Sequence, residues 1–212
     1  MCRRVAIFLI PFIFFSLFLL GAEEKISGRY RFNGVAGYLH PGRTGCEDTT
    51  SVFLSFEYLF SRNVGMSFGG GFTNFRGPNE IMIGGQELKE YLEQFSPLDI
   101  RRPRLELQYG TIGLLLRFPA GKLAPYINLG VGAYQYTYTQ DIFGRDPQTG
   151  QSGLPLPLFY RNTSFGVNGA VGMEYLITEF LSVKFEGNYQ RIFSDLIKSQ
   201  FVVNAGFGFI FE

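Results

Sequence analysis

The chain of 212 residues carries 27 glycines, 24 phenylalanines and 12 tyrosines but no tryptophan, and only 17% of its side chains are charged. That charge fraction lies below the about 25% of ordinary soluble domains, and the wealth of aromatic residues excludes intrinsic disorder. Nineteen basic against eighteen acidic residues leave a net charge of +1, too little for the basic stripe of a nucleic-acid binder, so no nucleic acid is expected as a partner.

At the N-terminus Arg3 and Arg4 precede an apolar run from Val5 to Leu20, interrupted by Pro11 and Ser16 and closed by the small residues Gly21 and Ala22. The run is shorter than the about 20 residues of a membrane-spanning helix. Residues 1–22 therefore read as a signal peptide, and 23–212 as one exported domain. That domain holds a single cysteine, Cys46, so an intrachain disulfide is not expected.

A first strand is predicted over 28–38. The link after it contains His40, the only histidine, and Cys46, which reads as solvated. One histidine and one cysteine do not make a transition-metal site, and neither a metal nor another cofactor is expected. Strands over 51–61 and 64–74 follow, joined by a tight turn. In the long link 75–102, Leu88, Tyr91, Leu92 and Phe95 stand at helical spacing, predicting a short amphipathic helix over 86–95. Arg101, Arg102 and Arg104 close that link, where cations could meet lipopolysaccharide phosphates. The fourth strand, 103–118, changes its apolar parity from Leu105, Leu107 and Tyr109 to Ile112, Leu114, Leu116 and Phe118, and Gly110 between them predicts a bulge. A fifth strand covers 124–138. The link 139–160, with Leu154-Pro155-Leu156-Pro157-Leu158, reads as a non-helical loop, because proline fixes extended or turning backbone. Strands over 161–177, 180–192 and 200–211 complete the chain with its clearest period-two alternation, as in Phe165, Val167, Val171, Met173 and Tyr175.

Short and long links alternate along these eight spans. Up-and-down antiparallel strands place successive links at opposite ends, giving one rim of tight turns and one of long loops. An even number of strands lets the sheet close and removes its edges, as hydrocarbon requires of any spanning sheet. The alternation alone also fits a soluble lipocalin-like barrel with its apolar parity inward. The other parity argues against that, since it holds Gly65, Ser67, Gly69, Gly71, Asn128, Gly130, Gly132, Gly166 and Gly172 rather than the charged residues of a soluble surface. Small residues suit the narrow interior of an eight-stranded barrel. The few large polar residues of that parity, Arg31, Glu57, Glu106, Arg117, Glu174, Lys184 and Glu186, read as an internal charge network, because buried charges need partners. A sealed lumen is the simpler reading of it, and a gated path for ions or small solutes the sharper one. Tyr30, Tyr58, Phe60, Phe118, Tyr175 and Phe211 are placed to form interfacial girdles.

Leu114-Leu115-Leu116-Arg117-Phe118 before a turn, Pro125-Tyr126-Ile127-Asn128-Leu129-Gly130-Val131-Gly132, Gly172-Met173-Glu174-Tyr175-Leu176 and the terminal Gly206-Phe207-Gly208-Phe209-Ile210-Phe211 together resemble the small outer-membrane β-barrel proteins of Gram-negative bacteria, the OmpA/OmpX-like and porin-family barrels. The resemblance implies an all-β, eight-stranded antiparallel transmembrane barrel in the outer membrane, inserted by the barrel-assembly machinery after passage by periplasmic chaperones. It implies outer-membrane lipid and lipopolysaccharide as surroundings, and the chain reads as a monomer. Some such barrels act on lipid A with a histidine, a serine and a carboxylate. Here His40 lacks the His-x-Ser pattern of the deacylases, and Glu47, Asp48 and Ser51 make no ordered constellation, so no enzyme activity is expected. A structural or surface-interaction role is the first expectation and a porin-like path for small, hydrophobic solutes the second.

Overall fold

The structure, a computed structural model, describes residues 30–43, 45–78, 90, 98–145, 148–149 and 152–211. The expected signal peptide lies outside the described residues, as does the expected helix over 86–95 apart from Glu90, which is helical. The strands are β1 (Tyr30–Pro41), β2 (Thr49–Leu59), β3 (Val64–Arg76), β4 (Leu98–Ile100), β5 (Arg104–Arg117), β6 (Leu123–Arg145), β7 (Ser152–Leu176), β8 (Leu181–Ile192) and β9 (Ser199–Phe211). All pairings are antiparallel. The eight long strands pair in sequence order, β1 pairs with β9, and the β6–β7 pairing completes the ring.

Tight links over 60–63, 118–122 and 177–180 occupy one rim. Their hydroxyls fold the chain locally: Thr178 Oγ1 accepts from the Leu181 amide at 3.1 Å, and Ser61 Oγ from the Val64 amide at 3.1 Å. Gly121, at φ +62°, supplies the left-handed residue of the second link.

The apolar parity faces outward. Phe32, Leu54, Phe68, Ile112, Leu129, Val171, Phe185, Phe207 and many like them are more than a third exposed, a belt far larger than soluble monomers leave uncovered. Hydrocarbon is the solvent that such a surface requires. At the short-turn rim Tyr30 packs against Tyr58 with centroids 5.1 Å apart, and Tyr58 meets Phe60 edge-on at 5.2 Å.

Three expectations are corrected. Residues 139–145 and 152–160 are strand, since β6 and β7 continue as one long hairpin whose register shifts only between Phe143 and Arg145. Pro157 and Pro155 pair with Asp141 and Phe143 there. β8 stops at the Gly166–Ile192 pair, so both prolines can turn their missing N–H toward an edge that is unpaired among the described residues, where a strand tolerates them. The link 75–102 holds an additional strand, β4, on Ile142–Gly144 of β6. Finally, Gly110 marks no bulge, for the register runs unbroken through Gly70, Gly110 and Ala133.

The parity change in β5 has another cause. Below Gly110 the outward residues are Ile112, Leu114 and Leu116; above it they are Gln108, Glu106 and Arg104, while Leu105, Leu107 and Tyr109 turn inward and are buried. β6 changes at the paired position, from Ile127, Leu129 and Val131 outside to Tyr134, Tyr136 and Tyr138 inside. The backbone keeps its alternation and the solvent changes. Inside the belt the apolar side chains meet lipid, and beyond it they form an ordinary apolar core.

Candidate functional site

The interior is layered along the barrel axis. Nearest the short turns, Arg31 of β1, Arg117 of β5 and Glu174 of β7 converge. Arg31 donates to both carboxylate oxygens of Glu174, at 2.5 Å to Oε1, and Arg117 donates to Oε2. Alongside, Lys184 of β8 pairs with Glu57 of β2, and its ammonium lies 4.9 Å from the centroid of the Tyr126 ring. All five charged groups are at most 4% exposed. Glu186 is half-buried and accepts from Tyr126 Oη at 3.0 Å, from Asn188 at 3.3 Å and from Asn204 at 3.4 Å. Three cations and three carboxylates thus share one neutral enclosure, as burial of charge in a low dielectric demands.

Above them lies an amide and hydroxyl layer. Asn33 donates to Ser55 at 3.1 Å, Ser67 to Asn128 at 3.0 Å, and Gln200 to Gln190 at 2.5 Å. Asn168, also buried, belongs to it, and Asn188 joins it to the charges through Glu186.

The third layer is aromatic. Phe53, Tyr109 and Tyr134 lie with Gly71 in one cross-strand row of β2, β3, β5 and β6 and stack along that stretch of the inner wall, with centroid separations of 5.9 and 5.6 Å. Phe75, Leu105, Leu107, Tyr136, Tyr138, Ile192, Leu196 and Ile197 pack over them. The glycines of the inward parity are the seats of these rings. A Cβ on Gly166 would lie 2.9 Å from Tyr134 Cε2, and one on Gly69 would lie 2.8 Å from Phe53 Cε2.

The structure brings together six of the seven sequence-derived network residues, Arg31, Glu57, Arg117, Glu174, Lys184 and Glu186. Glu106 is the exception. It stands on the outer face 3.5 Å from Arg104, because it belongs to the even parity of β5 that points away from the lumen. The tyrosines at 134, 136 and 138 are buried interior residues that the sequence reading missed, although they share the parity of Asn128, Gly130 and Gly132. Cys46 is half-buried against the aromatic cluster rather than solvated.

Outside the belt, His40 Nδ1 lies 2.6 Å from Asp48 Oδ1, and Tyr38 donates to the other oxygen. The Tyr38 hydrogen bond, followed by the one to His40, holds the Asp48 carboxyl below its ordinary range. His40 is 65% exposed in its side chain. Among the described residues no group of three or more His, Cys, Asp or Glu is placed to hold a metal ion, and no helix is long and apolar enough to cross a membrane.

A family model described as outer membrane protein beta-barrel domain matches residues 12–209. Among solved structures the chain is similar to the outer membrane protein OprG from Pseudomonas aeruginosa, at 14% identity over 89% of this chain and 98% of that one, with a TM-score of 0.55. It is similar also to a major outer membrane protein from Thermus thermophilus, at 13% identity over 86% and 99% of the two chains, TM-score 0.56. Neisserial surface protein A matches at 14% identity over 88% and 99%, TM-score 0.51. At such identities the likeness is one of fold. A search of curated protein sequences finds no match.

Proposed function

The chain belongs to the outer membrane protein beta-barrel family, and from that premise we propose that it is a sealed, monomeric barrel whose role is played at the cell surface rather than through its lumen. Its place is the Gram-negative outer membrane. Family barrels put short turns in the periplasm and long hairpins outside, which directs the β6–β7 hairpin and the link carrying β4 to the exterior. In this reading the barrel-assembly machinery and periplasmic chaperones deliver the chain, and outer-membrane lipid and lipopolysaccharide surround it.

One observation carries the reading: two sets of large side chains project into the bore, the neutral ion network around Glu174 and the row of Phe53, Tyr109 and Tyr134. An eight-stranded interior is just wide enough for side chains to fill, and in this reading each set closes it. A non-enzymatic role is part of this reading, in which the solvent-exposed pair of His40 and Asp48 only ties β1 to the link after it. Planar-bilayer recording of the refolded protein tests the proposal. Electrical silence is expected, and steady unitary openings would replace the sealed barrel with a path for small solutes.

A further inference from the structure

Between the ion network and the aromatic row the bore keeps an internal space. On one side of it Arg31, Arg117, Glu174 and Lys184 are at most 4% exposed, and on the other Leu107, Tyr109 and Tyr134 are at most 6% exposed. Thr111, Asn128 and Glu186 point into the bore between those levels, on β5, β6 and β8, and are only half-buried. Inward side chains that keep accessible surface between two buried layers require room for a molecule the size of water.

Oxygen atoms line one wall of that space. Gly113 and Gly130 are directly paired, and the point where a Gly113 Cβ would stand lies within 3.0 Å of Asn128 Oδ1 and Ser67 Oγ. The corresponding point on Gly130 lies 2.8 Å from Asn168 Oδ1 and 3.1 Å from Gly113 Cα. Two amide oxygens and a hydroxyl oxygen thus gather over two adjacent glycines, with no glycine side chain to fill the cradle. Ser67 spends its hydrogen on Asn128. Asn168 is only 8% exposed, and its Oδ1 has no hydrogen-bond donor among the described residues. A buried acceptor without a partner is destabilising, and its complement is an occupant of positive polarity.

The charges of the opposite wall have the same complement. Arg31 and Arg117 hold Glu174, and Lys184 holds Glu57. Glu186 has only neutral partners among the described residues, Tyr126, Asn188 and Asn204. Asn188 stands in the row of Asn128 with only Ala170 between them, so the carboxylate that it serves borders the same space. Asn188 and Asn204 give their amide hydrogens to Glu186, and their own Oδ1 atoms are unpartnered as well.

We propose that this space binds one alkali-metal cation. Asn128 Oδ1, Asn168 Oδ1 and Ser67 Oγ are its protein ligands, water completes its shell, and Glu186 is its counter-charge. A set made of oxygen alone suits a hard cation, and carbonyl-type oxygens replace the hydration shell of a monovalent one. The six charged side chains of the enclosure already balance, so one added charge costs less than the two of calcium or magnesium. The site goes beyond the sealed-barrel reading, and the two are tested by different signals.

The protein is refolded in detergent with rubidium chloride as the sole alkali salt, checked for heat modifiability and crystallised. A rubidium anomalous peak over Gly113 and Gly130 is expected in the wild type, and its loss in Asn168→Leu and in Glu186→Gln. In solution the wild-type urea midpoint should be higher in rubidium chloride than in N-methylglucamine chloride at equal ionic strength, because only the small cation fits the space and binds the folded form. Asn168→Leu should remove that difference. Water alone in the wild-type space, a peak that survives both substitutions, or equal wild-type midpoints in the two salts would overturn the site. Planar-bilayer conductance reports on closure separately, so a silent barrel without the peak overturns the site alone, and a conducting barrel with the peak overturns closure alone.

Discussion

Glu174 is the residue on which the interior depends most. It is fully buried and holds two guanidinium groups, Arg31 and Arg117. Glu174→Gln leaves two buried cations without their anion, a change that costs about 3–5 kcal/mol, read as a lower urea midpoint for the barrel in lipid vesicles. Gly166 tests the opposite limit, where the fault is volume and not charge. Its Cβ would meet the Tyr134 ring and the Ile192 backbone, with Cα at 3.1 Å. Gly166→Ala should therefore destabilise by about 1–3 kcal/mol. Gly34→Ala, on the outer face with only Leu54 Cδ2 at 3.5 Å, should leave the same midpoint unchanged. At the rim, the carboxyl of Asp48 titrates below its ordinary value because Tyr38 and His40 bond its ionised form. A depressed carboxylate contributes its stabilisation above the unfolded pKa and loses it as pH falls through the folded one. The Tyr38–Asp48–His40 tie should thus persist at mild acidity and release only below the normal Asp range. An NMR titration of the Asp48 carboxyl carbon would show this, with Tyr38→Phe returning the midpoint toward normal.

At the scale of elements, the β6–β7 hairpin is the part least like its neighbours. It rises beyond β8, and the free edge of β7 is blunted by Pro155, Pro157 and Asn162, whose side chain accepts from the Thr163 amide at 2.7 Å. Edges so treated resist pairing with other chains. Replacing both prolines with threonine restores two amides to the edge, and concentration-dependent association of the refolded protein in size-exclusion chromatography is the expected result. An unchanged monomer peak would show that the edge is guarded by other means. The same hairpin marks where the sequence can be read and where it cannot. Strands such as 180–192 and 200–211 are legible to within a residue because lipid on one side and a crowded lumen on the other keep the polarity contrast constant along them. Residues 139–160 and the Gly110 region mislead because apolar parity marks the outer face only inside the membrane. Beyond it the contrast inverts, so Leu105, Leu107 and Tyr109 look like a slipped register when only their surroundings have changed. The charge network is legible for a related reason. Arg31, Glu57, Arg117, Glu174, Lys184 and Glu186 interrupt an otherwise small-residue parity within the belt, whereas Glu106 lies above it, where an outward carboxylate is ordinary.

For the whole molecule, the proposed sealed barrel would hold two barriers of different physics in series. The ion network near the short turns is held by electrostatics, and the aromatic row toward the opposite rim by burial and ring packing. Seals in series have a property that a single plug lacks, since opening either one leaves the path closed. Glu174→Gln with Arg117→Gln loosens the first, and Tyr109→Ala with Tyr134→Ala removes two of the three stacked rings of the second. Each pair alone should leave a planar bilayer silent, provided that heat modifiability confirms a folded barrel. The quadruple variant should conduct, with unitary events that shrink when Gln replaces Ala at 134. Openings from the tyrosine pair alone would mean that the ion network does not close the bore, and openings from the Glu174 pair alone would assign closure to that network by itself. Because each loss is expected to lower stability by several kcal/mol in a fold whose total margin is of similar size, vesicles rather than micelles are the medium in which the four-residue variant should be folded and recorded.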